Sequence, residues 1–265
     1  MFKIYIKITL LVLFTFALSS CTTTTVEHTK PEPYESLLVG VTPNYPPIMF
    51  KQGDEFAGVE ADLARLLAIE LGKPVKFVEL KWDKQIPALL NRETDIIMSG
   101  MSITRARGVR VNFADHYLKS GLVAMMLIEN AWKYNSVEDI MYSSSTVGVV
   151  KGTTSDVFVR KNFPNLLHTI ALQEADDAPS TLDRRSIDFF IHDAPSIMWL
   201  VSENEADVTA LWEPLNEEQL AWAVRQDDEM LLQQVNSILN KWKNDGTLER
   251  TLLRWLPPQY LERFK

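Results

Sequence analysis

Cysteine is nearly absent from the 265-residue chain, Cys21 being the only one. A lone thiol cannot close an intramolecular disulfide, so the fold must be held by its core rather than by covalent staples. The four histidines, His28, His116, His168 and His192, are scattered without the spacing of a metal-ligand set, and no metal or other cofactor is expected. Basic residues are in deficit: 27 Lys and Arg stand against 35 Asp and Glu, for a formal net charge of -8 and a pI near 5.1. No Lys/Arg cluster acts locally either. A nucleic-acid binder needs a cationic face to displace counterions from phosphate, so that class of partner is excluded. No tandem repeat of fixed period is visible. Against these absences stand 46% hydrophobic and 10% aromatic residues, enough to bury a core and to build two modest domains.

The first residues place Lys3 and Lys7 before an apolar run over 8–18, followed by Ser19 and Ser20. That run is short for a spanning helix and has the layout of a secretory signal peptide. Leu18-Ser19-Ser20-Cys21 resembles a bacterial lipobox, in which Cys21 becomes the acylated N-terminus of a lipoprotein. The alternative is a signal peptide or N-terminal anchor with an incidental cysteine. Each CH₂ of an acyl chain adds about 0.8 kcal/mol of membrane affinity, so several chains would hold the protein at a bilayer surface, outside the cytoplasm. Removing residues 1–20 takes two Lys and no acid, carrying the net charge from -8 to -10. Residues 21–36, polar and proline-interrupted, read as a flexible tether.

Beyond the tether the pattern alternates. A strand is expected at 37–41, a helix at 60–71 with Gly72 as its C-cap, a strand at 75–78, a helix at 83–90 and a strand at 95–98. This is the rhythm of a parallel sheet with covering helices. It restarts with strands expected at 146–150, 168–171 and 187–191 and with helices after the 152–155 segment through 163, over 174–185 and over 194–201. The apolar run 121–128 is long enough to cross between two domains, and 219–224 could make the return. Residues 227–255 predict two amphipathic helices, the first stopped at Gly246 and the second capped by Thr247. Two α/β lobes with a double crossover enclose a cleft, and in open α/β sheets ligands collect at the carboxyl ends of the strands. Three polar segments follow predicted strands there: SGMSITRAR, GTTS and HD.

Taken in order, VGVTPNYPPIMF, GVEADLARLLAIELG, TDIIMSGMSITRARGVRVNFADHYLKSG, VGVVKGTTSDVF, IDFFIHDAPSIMW and VNSILNKWKNDGTLERTLLRW resemble family 3 of the extracytoplasmic solute-binding proteins, the polar amino-acid receptors of ABC importers. The resemblance implies a two-lobed α/β fold of the type II periplasmic-binding-protein kind, with a two-strand hinge. Residues 37–123 would form the first part of lobe 1, 124–221 lobe 2, and 222–265 the C-terminal return to lobe 1. It also implies a monomer held at the membrane by lipid, with an amino acid and ABC permease subunits as partners.

A zwitterion sets the chemistry of such a site, because a carboxylate taken from water must be paired and hydrogen-bonded. Arg107 matches the family arginine that grips the ligand α-carboxylate, and backbone N–H groups around Gly100 to Ser102 can add donors. Alone, Arg107 would read as a solvated helix-start arginine, as Arg105 does. Asp193 matches the aspartate that receives the α-ammonium, with Ser99 offering a carbonyl or hydroxyl; an N-cap role for Asp193 is the alternative and can coexist. Thr153 and Thr154 sit where a helix N-terminus would face the carboxylate, or where a plain N-cap would stand. Tyr45 and Trp82 match aromatic walls that exclude water, whereas Phe50 is left to the core. His192-Asp193 resembles the His-Asp pair of glutamine-binding members, so His192 is a candidate contact to the ligand side chain or a structural histidine. Members that bind basic amino acids often carry an acid where this chain has Thr42, which favours a neutral or polar ligand. Two other classes fit the fold. A cyclohexadienyl dehydratase-like enzyme would need a general acid shortly after Asp193, but Ala194, Pro195 and Ser196 follow. A ligand-sensing receptor uncoupled from transport is the other.

Overall fold

The computed structural model describes residues 35–264. The expectations for the signal segment, for lipidated Cys21 and for most of the tether therefore lie outside the described residues.

The chain enters through β1 (Leu37–Val41), buried at four of its five positions. A small antiparallel meander follows, β2 (Asn44–Tyr45), β3 (Met49–Gln52) and β4 (Glu55–Ala57); its short strands lack an apolar period that would announce them. Helix α1 (Val59–Glu70) buries Val59, Ala61, Leu63, Ala64, Leu67 and Ala68, a stripe at helical spacing. It ends at Gly72, whose φ of 65° suits a residue just past a helix, and Lys73 N–H closes back on the Ala68 carbonyl at 2.9 Å. Then come β5 (Val75–Glu79), α2 (Gln85–Leu90), β6 (Ile96–Ile97), α3 (Arg105–Gly108) and β7 (Asn112–Phe113).

The outward crossing is β8 (Leu118–Ser120). The apolar run expected to cross is instead β9 (Leu122–Leu127), a central strand of the second sheet. Its Leu122, Ala124 and Met126 pack in one cluster while Val123 and Met125 pack in another. Both faces of that strand are covered, so its hydrophobicity reports burial and not passage between lobes.

The second lobe continues with α4 (Val137–Met141), β10 (Thr146–Val150), α5 (Thr154–Asn162), β11 (His168–Leu172), α6 (Ala178–Asp183), β12 (Phe189–Asp193), α7 (Ala194–Glu203) and β13 (Val208–Leu211). The return crossing is β14 (Glu218–Leu220), which pairs antiparallel with β8, Glu218 opposite Ser120. Back in the first lobe, β15 (Ala223–Val224) joins the sheet, and α8 (Glu229–Asp245), α9 (Thr247–Leu253) and α10 (Pro258–Arg263) pack outside it. Gly246, at φ 76°, both ends α8 and caps α9, so Thr247 is the first residue of α9 and not its cap.

The two sheets are built alike. The first runs β5-β1-β6-β15-β7 and the second β11-β10-β12-β9-β13. In each, three adjacent strands (β5, β1 and β6; β11, β10 and β12) are parallel and the strand next to them is antiparallel. Parallel strands direct their carboxyl ends to one edge. The segments after β1, β5, β6, β10 and β11, together with the last residues of β12, line a single cleft there. Among the described residues no helix is long and apolar enough to cross a membrane.

Candidate functional site

The cleft has a volume of about 1200 Å³ and draws its walls from both lobes. Tyr45, Trp82, Ser99, Gly100, Ser102 and Arg107 line it from the first, Thr153, Thr154, His192 and Asp193 from the second. All ten ligand-contact candidates from the sequence are thus brought to one hollow.

Arg107 lies on the four-residue α3, whose start is fixed by Thr104, the Thr104 hydroxyl accepting from Arg107 N–H at 3.2 Å. The guanidinium is half-buried. It donates to the Ser102 carbonyl at 2.8 Å and sits 5.1 Å from the centre of the Trp82 ring. Burial pushes its pKa down, and the charges of Asp193 and Glu218 push back. A planar cation held against an aromatic face with most of its donors uncommitted is prepared for an anionic fork partner. Arg105, by contrast, is exposed.

Asp193 ends β12 and occupies the N-cap of α7, yet its side chain makes no capping bond. Its Oδ2 accepts instead from the Tyr45 hydroxyl of the opposite lobe at 2.7 Å. Burial raises its pKa to about 6, with the Tyr45 bond and the Arg107 charge opposing. His192, stacked on Phe190 and edge-on to Tyr45, is held down to about 4 by burial. Its Nδ1 accepts the Asp193 N–H at 2.8 Å, so the ring is neutral and Nε2 carries the proton.

The loop after β6 departs from one expectation. The Gly100 N–H is not free for a ligand, because it donates to Glu60 Oε2 at 2.6 Å. Gly100 has φ 65°, and a Cβ there would lie 2.2 Å from Tyr45 Cε1, so glycine is required by both backbone and ring. Glu60 is fully buried on α1, and burial lifts its pKa to about 8. Ser102 pairs with Leu220 in an isolated antiparallel bridge flanked by the bonds Ile103 N–H to Gln219 O and Ala221 N–H to Met101 O. Ser102 and Leu220 are therefore a non-hydrogen-bonded pair, and the Ser102 N–H points away from the Leu220 strand. Ser99 is buried, its hydroxyl accepting from Thr42 N–H at 2.8 Å.

Across the cleft, Thr153 is the N-cap of α5, but its hydroxyl is spent on the Val150 carbonyl and Ser155 Oγ. Thr154 Oγ1 donates to Glu218 Oε2 at 3.1 Å, and the Trp82 indole donates to the Gly152 carbonyl at 3.1 Å. Phe50, taken for core, packs 5.5 Å from Trp199 of the second lobe and 5.6 Å from Trp255. Sequence reasoning missed Glu60 and Glu218. An acid in the first turn of a helix reads as complementing its dipole, and Glu217-Glu218 reads as a solvated pair; neither signal reveals a buried neighbour.

A fold of two like lobes on a two-strand hinge, with opposite charges facing one cleft, defines a class of extracytoplasmic ligand receptors. The chain belongs to the bacterial extracellular solute-binding proteins, family 3, whose model matches residues 37–258. The L-cystine-binding protein TcyJ of Escherichia coli is 28% identical over 225 residues, 83% of this chain and 82% of its own length. Two solved structures are similar in fold. The ancestral amino acid-binding protein AncCDT-1, a precursor of cyclohexadienyl dehydratase, has a TM-score of 0.77 at 32% identity, covering 83% of this chain and 95% of its own. An ancestral arginine-binding protein bound to arginine has a TM-score of 0.77 at 28% identity, covering 85% and 100%.

Proposed function

We propose that the protein is a lipid-anchored extracytoplasmic receptor that takes a neutral or polar amino acid between its lobes and delivers it to an ABC permease. One observation carries the reading: Arg107 of the first lobe and Asp193 of the second line the same cleft. The ligand α-carboxylate accepts from the Arg107 fork, from the Ser102 N–H and from the N–H groups that open α5. Its α-ammonium donates to Asp193. Tyr45 and Trp82 close over the apolar part of the ligand and His192 meets its side chain.

A neutral or polar side chain is favoured because the Thr42 hydroxyl is engaged with the Leu80 carbonyl and Gln85 Nε2 and brings no charge. Closure about β8 and β14 then forms the surface a permease reads. The relatives bear the names of binding proteins, and no acid follows Asp193 in the next three positions to serve a dehydratase.

Calorimetric titration against the twenty amino acids and cystine tests the reading. The expected result is one preferred ligand of micromolar affinity, about -8 kcal/mol, with binding lost in Arg107→Ala. Absence of any ligand, or unchanged binding in Arg107→Ala, would overturn it. Turnover of prephenate by the purified protein would replace it with the enzyme.

A further inference from the structure

Glu218 stands on β14, the returning hinge strand, and the recognition scheme above makes no use of it. Its carboxylate is half-buried and accepts from three neutral donors: Ser102 Oγ, Thr154 Oγ1 at 3.1 Å and Asn216 Nδ2 at 3.1 Å. Ser102 belongs to the first lobe and Thr154 opens α5 of the second, and both line the cleft. An ionised carboxylate can only accept, so the two hydroxyls supply the hydrogens and turn their lone pairs elsewhere.

We propose that Glu218 is a positioning residue, an interlobe clasp that holds Ser102 and Thr154 together in the closed form and orients both hydroxyls as acceptors toward the cleft. A hinge rotation that parts the lobes carries Ser102 away from Thr154, and a single carboxylate cannot then hold both. The clasp therefore stabilises closure selectively and makes closure and hydroxyl orientation one event. Only its consequence for ligand affinity rests on the amino-acid reading of the cleft.

The test has two arms. In the full chain with Cys21→Ser, spin labels at Ile69→Cys and Leu167→Cys report the interlobe distance, these sites being 74% and 58% exposed in opposite lobes. Without ligand, Glu218→Gln is expected to move the distance distribution to longer values. Thr154→Val should do the same, and the double variant should add nothing to the larger single effect. Unchanged distances in Glu218→Gln, or additive shifts in the double variant, would overturn the clasp; should Glu218→Gln fail to fold, Thr154→Val decides by the same criterion. In the second arm, Glu218→Gln should weaken the preferred amino acid about tenfold, the loss expected when one charge-assisted bond goes. If the wild type binds no amino acid, the functional reading fails while the distances still judge the clasp. If the wild type binds and Glu218→Gln binds equally well, the clasp alone fails.

Discussion

Tyr45→Phe isolates the hydrogen bond that joins Asp193, the proposed acceptor of the ligand ammonium, to the opposite lobe. The Tyr45 hydroxyl donates to Asp193 Oδ2 at 2.7 Å and favours the ionised carboxylate, whose pKa burial has lifted to about 6. A hydrogen bond to a charged group contributes about 1.5 kcal/mol at the low end, and about 1.4 kcal/mol corresponds to one pKa unit. Removing the hydroxyl should therefore move the Asp193 midpoint to about 7. The sign follows from the ligand: its ammonium needs the ionised aspartate, so affinity is full above the midpoint and falls about tenfold per pH unit below it. At about pH 8 variant and wild type should differ only by the lost interlobe bond; at about pH 5 the variant should bind a further tenfold or so more weakly. Calorimetric titration of the preferred ligand in steps from about pH 4.5 to 8.5 reads the curve. His192, held near 4, stays neutral over most of that range, and Glu218 is common to both proteins. Affinity curves that superimpose after a constant offset, or a midpoint that moves to lower pH, would refute the reasoning.

Arg107→Lys keeps the charge but loses the planar fork and the stack on Trp82; binding should weaken by about tenfold, against a hundredfold or more for Arg107→Ala, in parallel calorimetry. Gly100→Ala forces a side chain onto Tyr45 at a left-handed backbone position, so urea unfolding should show a loss of about 2 to 4 kcal/mol. Glu60 has its folded pKa raised to about 8 from an ordinary 4.5. The stability this proton contributes is whole below about pH 4.5 and is lost as pH rises through about 8. Compared with Glu60→Gln, the wild type should therefore weaken by a few kcal/mol across that window in urea melts, and a flat difference would show that burial does not govern the group.

What was legible in the sequence follows from what local pattern can encode. The strands at Leu37–Val41 and Thr146–Val150 and the stripe of α1 were readable because burial on a sheet or one helix face imposes a period. That Arg107, Asp193 and the threonines opening α5 share one cleft was readable because each lies at or beyond the end of a strand on the edge the cleft occupies. The crossing was misplaced by one strand because apolarity measures coverage: Leu122–Leu127 is buried on both faces, whereas the true crossing, Leu118–Ser120, is short and exposes Lys119. The acids missed share a deeper cause. Glu60 acquires its meaning from Gly100, forty residues on, and Glu218 from Ser102 and Thr154, more than sixty residues away on separate lobes. An acid's local surroundings state only that it is charged. Whether it is solvated, buried with a proton or shared between two lobes is decided by which elements the topology brings against it, and here the hinge brings Ser102, Thr154 and Asn216 to a single carboxylate. The residues that line the cleft are therefore easier to find in the sequence than the acids buried against them.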